Sequence, residues 1–278
     1  MKLTVLMDNH TFIDRYFLGE PGVSYLLEDG DTKVLFDVGY SEAFITNAHK
    51  LALNLLDVDV VVLSHSHLDH TWGLVPLLRL YTEAKIEGLP VSRPTLVTHP
   101  ETLAPRTLDA LPQIGSLLSQ DELARHFKLQ LSRAPVHLTE RLVFLGEIER
   151  THAFEAQHPI GRVVKDGVER DDWVIEDSAL AYRSPQGLVI ITGCSHAGIC
   201  NIVDHARRVC GEERVVDIIG GLHLLDPPAE QLEGTLAYMA SLRPAAVHAC
   251  HCTDLNAKIA LAGVVHLQAV GVGLTLEY

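Results

Sequence analysis

The run Val58-Asp59-Val60-Val61-Val62-Leu63 leads directly into Ser64-His65-Ser66-His67-Leu68-Asp69-His70, and this junction decides the fold. A nearly continuous aliphatic run is the pattern of a strand buried on both faces. In α/β folds, ligand-binding residues gather at the C-terminal ends of such strands, where the polar cluster begins here. His65 and His67 are two apart, so in an extended segment they point the same way and can grip one cation. Asp69 and His70 follow after the chain turns, and can face a second. Imidazole nitrogen with carboxylate oxygen suits Zn²⁺, and also Fe or Mn. With 16 histidines in 278 residues, His-x-His-x-Asp-His should arise by accident roughly 0.003 times in such a chain. A chance cluster of histidines is therefore set aside.

Upstream of the cluster, an apolar segment at residues 3–7 and another at 23–27 precede the polar turn Glu28-Asp29-Gly30-Asp31 and a further apolar run to Phe36. Runs joined by an Asp-Gly turn predict a hairpin. Asp37-Val38-Gly39 ends that strand, and residues 41–56 read as a helix with Ser41 as its N-cap. Downstream, residues 73–81 suit a helix with Pro76 in its first turn, and 95–98 a strand. Residues 100–130 read as a helical insertion over the cleft, interrupted by Pro105 and Pro112. Strands follow at 136–138 and 142–145. Residues 155–177, rich in Gly and charge, read as a long functional loop. Strands at 179–183, 188–192, 215–219 and 245–249 then alternate with helices at 199–209, 228–242 and 256–262, and residues 264–276 are strand-like. Hairpins first and βαβ alternation later predict an α/β (α+β) sandwich of two sheets with outer helices, as one domain over residues 1–278.

Composition bounds the function. Thirty-six acidic against 22 basic residues give a net charge of −14, which argues against nucleic acid as a partner. A small-molecule substrate fits better, because a metal pair can reverse the field inside one cleft. Five cysteines, an odd number, point to a reducing compartment rather than a disulfide framework, so the cytoplasm is expected. No window approaches the ~20 apolar residues of a membrane span.

At residues 64–74, the chain resembles the metallo-β-lactamase superfamily. Val34-Leu35-Phe36-Asp37-Val38-Gly39, Gly146-Glu147-Ile148-Glu149-Arg150, Thr192-Gly193-Cys194-Ser195-His196-Ala197-Gly198-Ile199, Gly220-Gly221-Leu222-His223 and His251-Cys252-Thr253 look like its 7,8-dihydropterin synthase-like branch. The resemblance implies a metallo-β-lactamase αββα sandwich with a metal cleft on one edge. It implies two divalent metal ions, zinc first and Fe or Mn as alternatives, with His65, His67 and His196 on one side and Asp69, His70 and His251 on the other. His196 also stands on its own reading, in a Gly/Ser-rich loop at a strand end. The superfamily usually has a bridging Asp near this point, where this chain has Cys194, which leaves either Cys194 itself or a water alone to bridge the metals. A small buried hydrophobe is the ordinary role of a free cysteine, so Cys194 is not counted among the ligands.

The expected chemistry is hydrolysis by a metal-bridging hydroxide, on a small substrate that is phosphorylated or pterin-like. Asp69 and His223 are the expected catalytic residues, and Glu147, Arg150 and His223 the substrate contacts. The glycines before His223 permit close backbone approach, with metal ligation as its alternative role. The Arg150 fork suits a phosphate or carboxylate, although a solvated pair with Glu147 explains both residues equally well. Iron-dependent oxidoreduction on the same fold and metal-dependent binding without catalysis are the competing readings. Of the other histidines, His152 and His158 flank the long loop and are expected nearest the cleft.

Overall fold

In the computed structural model, which describes residues 1–278, β1 (Lys2–Met7), β2 (Ser24–Asp29) and β3 (Thr32–Phe36) pair as an antiparallel meander. Gly30 at φ 61° takes the left-handed position that the tight β2–β3 turn needs. After α1 (Ala43–Lys50), β4 (Val60–Val62) pairs parallel with β3 and carries the histidine cluster at its end. The chain continues through α2 (Leu68–Thr71), α3 (Leu74–Ile86), β5 (Thr95–Thr98), β6 (Arg106–Thr107), α4 (Gln120–His126) and β7 (Lys128–Leu131). Next come β8 (Val136–His137), β9 (Leu142–Phe144), β10 (Arg162–Lys165), β11 (Val168–Asp171), β12 (Ala179–Ser184) and β13 (Gly187–Thr192). The last part is α5 (Ile199–Cys210), β14 (Val215–Gly221), α6 (Ala229–Leu242), β15 (Ala246–Cys250), α7 (Leu255–Ala262) and β16 (Thr275–Glu277).

Two mixed sheets result, ordered β16-β1-β2-β3-β4-β5-β7 and β15-β14-β13-β12-β9-β8. Each is parallel on one side, β3-β4-β5-β7 and β13-β14-β15, and antiparallel on the other. Alternation along the strands fills three apolar layers. Tyr25, Leu27, Phe36 and Val62 of the first sheet meet Phe144, Tyr182, Val189 and Ile191 of the second. The opposite faces carry Leu26, Leu35 and Val61 against α1, α3 and α4, and Leu188, Ile190 and Ile218 against α5, α6 and α7. Strands buried on both faces explain the continuous aliphatic runs of the sequence, and each such side chain stabilises the fold by ~1.5–3 kcal/mol. The predicted αββα sandwich is the one observed. No helix is long and apolar enough to cross a membrane.

Several local expectations are corrected. The helix expected over 41–56 stops at Lys50, with Ala52 in the left-handed region at φ 55°. Ser41 Oγ accepts from Ala43 N only two residues on, while Glu42 is the N-cap. Residues 100–130 are mostly irregular, and their one helix is α4, whose Ser119–Glu122 capping box satisfies its first turn. The segment read as a long loop at 155–177 contains the β10–β11 hairpin, and β10 pairs with β6 in a separate three-stranded sheet. Residues 264–274 make only isolated bridges before β16.

Candidate metal centre

Strands β3, β4, β13, β14 and β15 all end on the same edge of the sandwich, and each sends one loop into a common site. Four residues there hold left-handed backbone: Asp37, Ser195, His223 and His251, with φ between 50° and 66°. Non-glycine residues in that region are uncommon and cluster where function fixes them. Gly193 explains how the two sheets converge, since a Cβ there would lie 2.2 Å from Ser64 Oγ.

His65, His67 and His196 form a triangle of imidazoles, with all three ring centroids 4.7 Å apart. All are buried. Burial pushes His65 and His196 well down, and His67 down to about 3, so each is a neutral ring with a free lone pair. His65 Nδ1 faces Ser64 Oγ at 2.8 Å, and its Nε2 faces His67 Nδ1 at 3.2 Å. His67 Nε2, both nitrogens of His196 and Nδ1 of His223 are buried without any hydrogen-bond partner. Each such orphan costs ~1–3 kcal/mol. A cation accepting one lone pair each from His67 and His196 relieves part of that cost, so the donor set fits a metal.

Asp69, His70 and His251 form the second group. His251 Nε2 lies 3.2 Å from Asp69 Oδ2 and 3.3 Å from His70 Nε2. Here the far nitrogens are anchored: His70 Nδ1 to Asp37 Oδ2 at 2.7 Å, and His251 Nδ1 to Asn9 Oδ1 at 3.1 Å. Those anchors leave both Nε2 atoms facing inward, the arrangement that metal-ligating histidines usually show. Burial alone would lower His70, but Asp69 and Asp37 outweigh it and raise it to about 10. Asp69 is correspondingly held well below the usual range, its own burial opposed chiefly by His70. Donor atoms of Asp69, His70, Cys194 and His251 lie within 4.8 Å of one another, as do those of His65, Cys194 and His196. Cys194, left out of the ligand set on sequence grounds, thus belongs to both groups.

Both groups open into a cavity of about 420 Å³, walled by Pro21, Leu108, Leu111, Ile114, Ile160 and Leu225. A smaller recess of about 180 Å³ adjoins it at His196 and His223, between Phe154, His158, Trp173 and Gln231. The segments 100–130 and 155–177 therefore both supply walls. His223 reaches the cavities, its ring 4.3 Å from that of His196. Burial would lower it, but hydrogen bonding and negative charge at Cys252, helped by Asp177, outweigh burial and raise it.

Glu147 and Arg150, expected to touch substrate, line neither cavity. Glu147 is spent on His99 and Arg133 at the surface, and Arg150 Nη2 donates to Val174 O at 2.8 Å. His158 lines the recess, whereas His152 is turned away onto Asp204. Sequence reasoning also missed the supports. Asp37 accepts from Ser64 N, Ser64 Oγ and His70 Nδ1, and Asp8 accepts from His251 N at 3.0 Å. Ser66 Oγ donates to Glu176, which Arg106 clamps at 2.9 Å. For Asp37 a signal existed, a carboxylate closing a strand next to the cluster; Asp8, Arg106 and Glu176 left none.

Residues 18–251 match the family model of the metallo-beta-lactamase superfamily. The 7,8-dihydropterin-6-methyl-4-(beta-D-ribofuranosyl)-aminobenzene-5'-phosphate synthase of Methanocaldococcus jannaschii is 31% identical over 274 residues, covering 93% of this chain and 89% of that protein. Among solved structures, Tm1679, a metal-dependent hydrolase of the beta-lactamase superfamily, superposes with a TM-score of 0.83 at 27% identity, covering 100% of this chain and 99% of that one. The metallo-beta-lactamase fold protein YhfI from Bacillus subtilis gives 0.58 at 14% identity, covering 100% and 99%. With its cluster, its sandwich and these relatives in agreement, the chain belongs to the metallo-β-lactamase superfamily, in the branch of the M. jannaschii synthase.

Proposed function

We propose that this protein is a cytoplasmic hydrolase that works with two divalent cations, zinc by preference, on a small substrate. The observation that carries the reading is the pair of donor groups sharing one cavity floor, with buried imidazole nitrogens that no protein atom satisfies. His65, His67 and His196 would hold one cation, and Asp69, His70 and His251 the other. Divalent cations in such a site supply Lewis acidity, making water a competent nucleophile at neutral pH and polarising the substrate oxygen.

The chain's own groups do the rest. Asp69, half-buried where it lines the cavity, orients the attacking water through its carboxylate. His223, half-buried beside Cys252 and raised above the ordinary imidazole value, keeps a proton at Nδ1 or Nε2 for the leaving group. The apolar walls exclude water and embrace a flat or apolar body. No Lys or Arg lines either cavity, so an anionic group on the substrate is matched at the cation floor. Phe154 and Trp173 in the recess suit a ring system, which supports a pterin-like or phosphorylated substrate akin to that named for the M. jannaschii relative.

The test is metal analysis of the purified protein, followed by turnover on a panel of phosphodiesters, cyclic phosphates, esters and lactones. His67→Ala should lower turnover by more than ~100-fold, beyond the usual loss for an outer partner of a ligand. Near-wild-type activity in that variant sinks the assignment. Native iron with a redox-active spectrum would replace hydrolysis with oxidoreduction.

A further inference from the structure

We propose that Cys194 is a thiolate bridge shared by the two cations, standing where the superfamily usually has an aspartate. The inference rests on the two-cation reading above and adds to it the group that joins them.

Cys194 is 5% exposed, and its Sγ lies 3.2 Å from His70 Nε2 and 3.2 Å from His251 Nε2. The same sulfur is within 4.8 Å of the donor atoms of His65 and His196, so one atom faces both groups. A tetrahedral cation with ordinary Zn–N and Zn–S bonds separates nitrogen from sulfur by about 3.5 Å. The separation on the His70 and His251 side needs only a slight opening to admit one. Cys194 is also fixed there, because the preceding Gly193 lets the end of β13 press on Ser64 with no room for a side chain.

Ser195 Oγ turns away to donate to Gly221 O at 2.6 Å. Asp177 Oδ2 is taken by Ala197 N, and its Oδ1 lies beyond His65, 3.9 Å from Nδ1. Cys252 Sγ accepts from His223 N at 3.3 Å and points at Cys194 O, so it serves the loop rather than the midline. Asp69 is the one carboxylate in either donor group, and Cys194 is the one residue common to both. The orphaned nitrogens of His67 and His196 supply the independent sign that a cation belongs beside this sulfur.

The chemistry follows directly. Binding requires the thiolate, so the thiol proton passes to solvent as the cations enter. A sulfur bridge biases the centre towards Zn²⁺, Co²⁺ or iron and away from Mg²⁺ and Mn²⁺.

Cobalt provides the test, with the intact protein loaded with Co²⁺ and the bound metal counted at each step. A thiolate-to-cobalt charge-transfer band in the near ultraviolet should grow through both equivalents. Cys194→Asp should bind two cobalt ions and lack the band, and Cys252→Ser should keep it. Two bound ions without the band, or a band lost in Cys252→Ser and kept in Cys194→Asp, overturns the bridge alone. A protein that saturates at one ion overturns the bridge and the two-cation reading together. X-ray absorption at the zinc edge of the wild-type protein needs no variant. Each zinc should see one sulfur at about 2.3 Å, and a shell of nitrogen and oxygen only would refute the proposal.

Discussion

The two halves of the metal centre are built in different ways. On the Asp69–His70–His251 side, each imidazole is held from behind by a polar group of the first sheet or its loops: Asp37 for His70 and Asn9 for His251. On the His65–His67–His196 side, only His65 has such an anchor, Ser64 Oγ at 2.8 Å; otherwise the rings hold one another, packed edge to face, and the His196 ring has no hydrogen bond at all. Behind that side lies the Ser66–Glu176–Arg106–Asp172 chain, which ties the cluster loop to the three-stranded sheet over the cavity. One half is oriented by direct anchors at strand ends, and the other by burial under a flap. Loss of an anchor should therefore act on one cation, whereas loosening the flap should act on stability first and on the other cation through it.

Arg106 gives the largest effect. Its side chain is fully buried, with Nε 2.6 Å from Asp172 and Nη2 2.9 Å from Glu176. Removing one partner of a buried ion pair leaves uncompensated charge and costs about 3–5 kcal/mol. Arg106→Ala should lose stability on that scale in urea titrations of the metal-free protein, and should weaken binding of the cation on the His65 side. A variant as stable as wild type would show that β6 and β10 are not clamped to the cluster through this residue.

Those same residues mark where the sequence stopped being legible. The cluster and β4 could be read because strand, turn and ligands are contiguous, and the apolar runs of both sheets because burial on two faces leaves no polar position to mislead. The flap is the opposite case. Every residue of β11 is exposed, and only Val163 of β10 is buried, so no alternation survives to announce a hairpin. Arg106 is buried only because residues 66 and 70 positions further on come back to meet it. In sequence Cys194 reads as an ordinary core cysteine, and only the convergence of five strand ends shows what its sulfur faces. Glu147 and Arg150 erred the other way, since a charged pair in a loop reads alike whether it meets a substrate or a neighbour.

Asp37→Asn should have an intermediate effect. The amide keeps the shape but cannot accept from both Ser64 donors and His70 Nδ1 together. Loss of such an outer partner typically costs ~10–100-fold in metal affinity. Competition with a chelator should show that loss on the Asp69–His70–His251 side, with a smaller change at His65, which feels Asp37 only through Ser64 Oγ. Equal losses on both sides would erase the distinction between anchored and packed halves.

The smallest effect concerns the prop beneath His196. Glu155 is buried and accepts from Cys200 N and Asn201 N, both at 2.9 Å, where α5 begins just after the His196 loop. Burial raises its carboxyl above the ordinary value of 4.5, against the lowering pull of those two amides. The unfolded chain therefore gives up this proton first. The contribution of Glu155 is full below 4.5 and is lost as pH rises through the folded value. Wild type should accordingly lose stability relative to Glu155→Gln as the pH is raised from acid towards neutral, read as the urea midpoint of the chelator-treated proteins. The opposite slope would mean that the α5 amides hold Glu155 ionised, making it an anionic cap. The packed half would then have an electrostatic anchor of its own, and the contrast with the Asp37 side would be one of distance from the ligand rather than of kind.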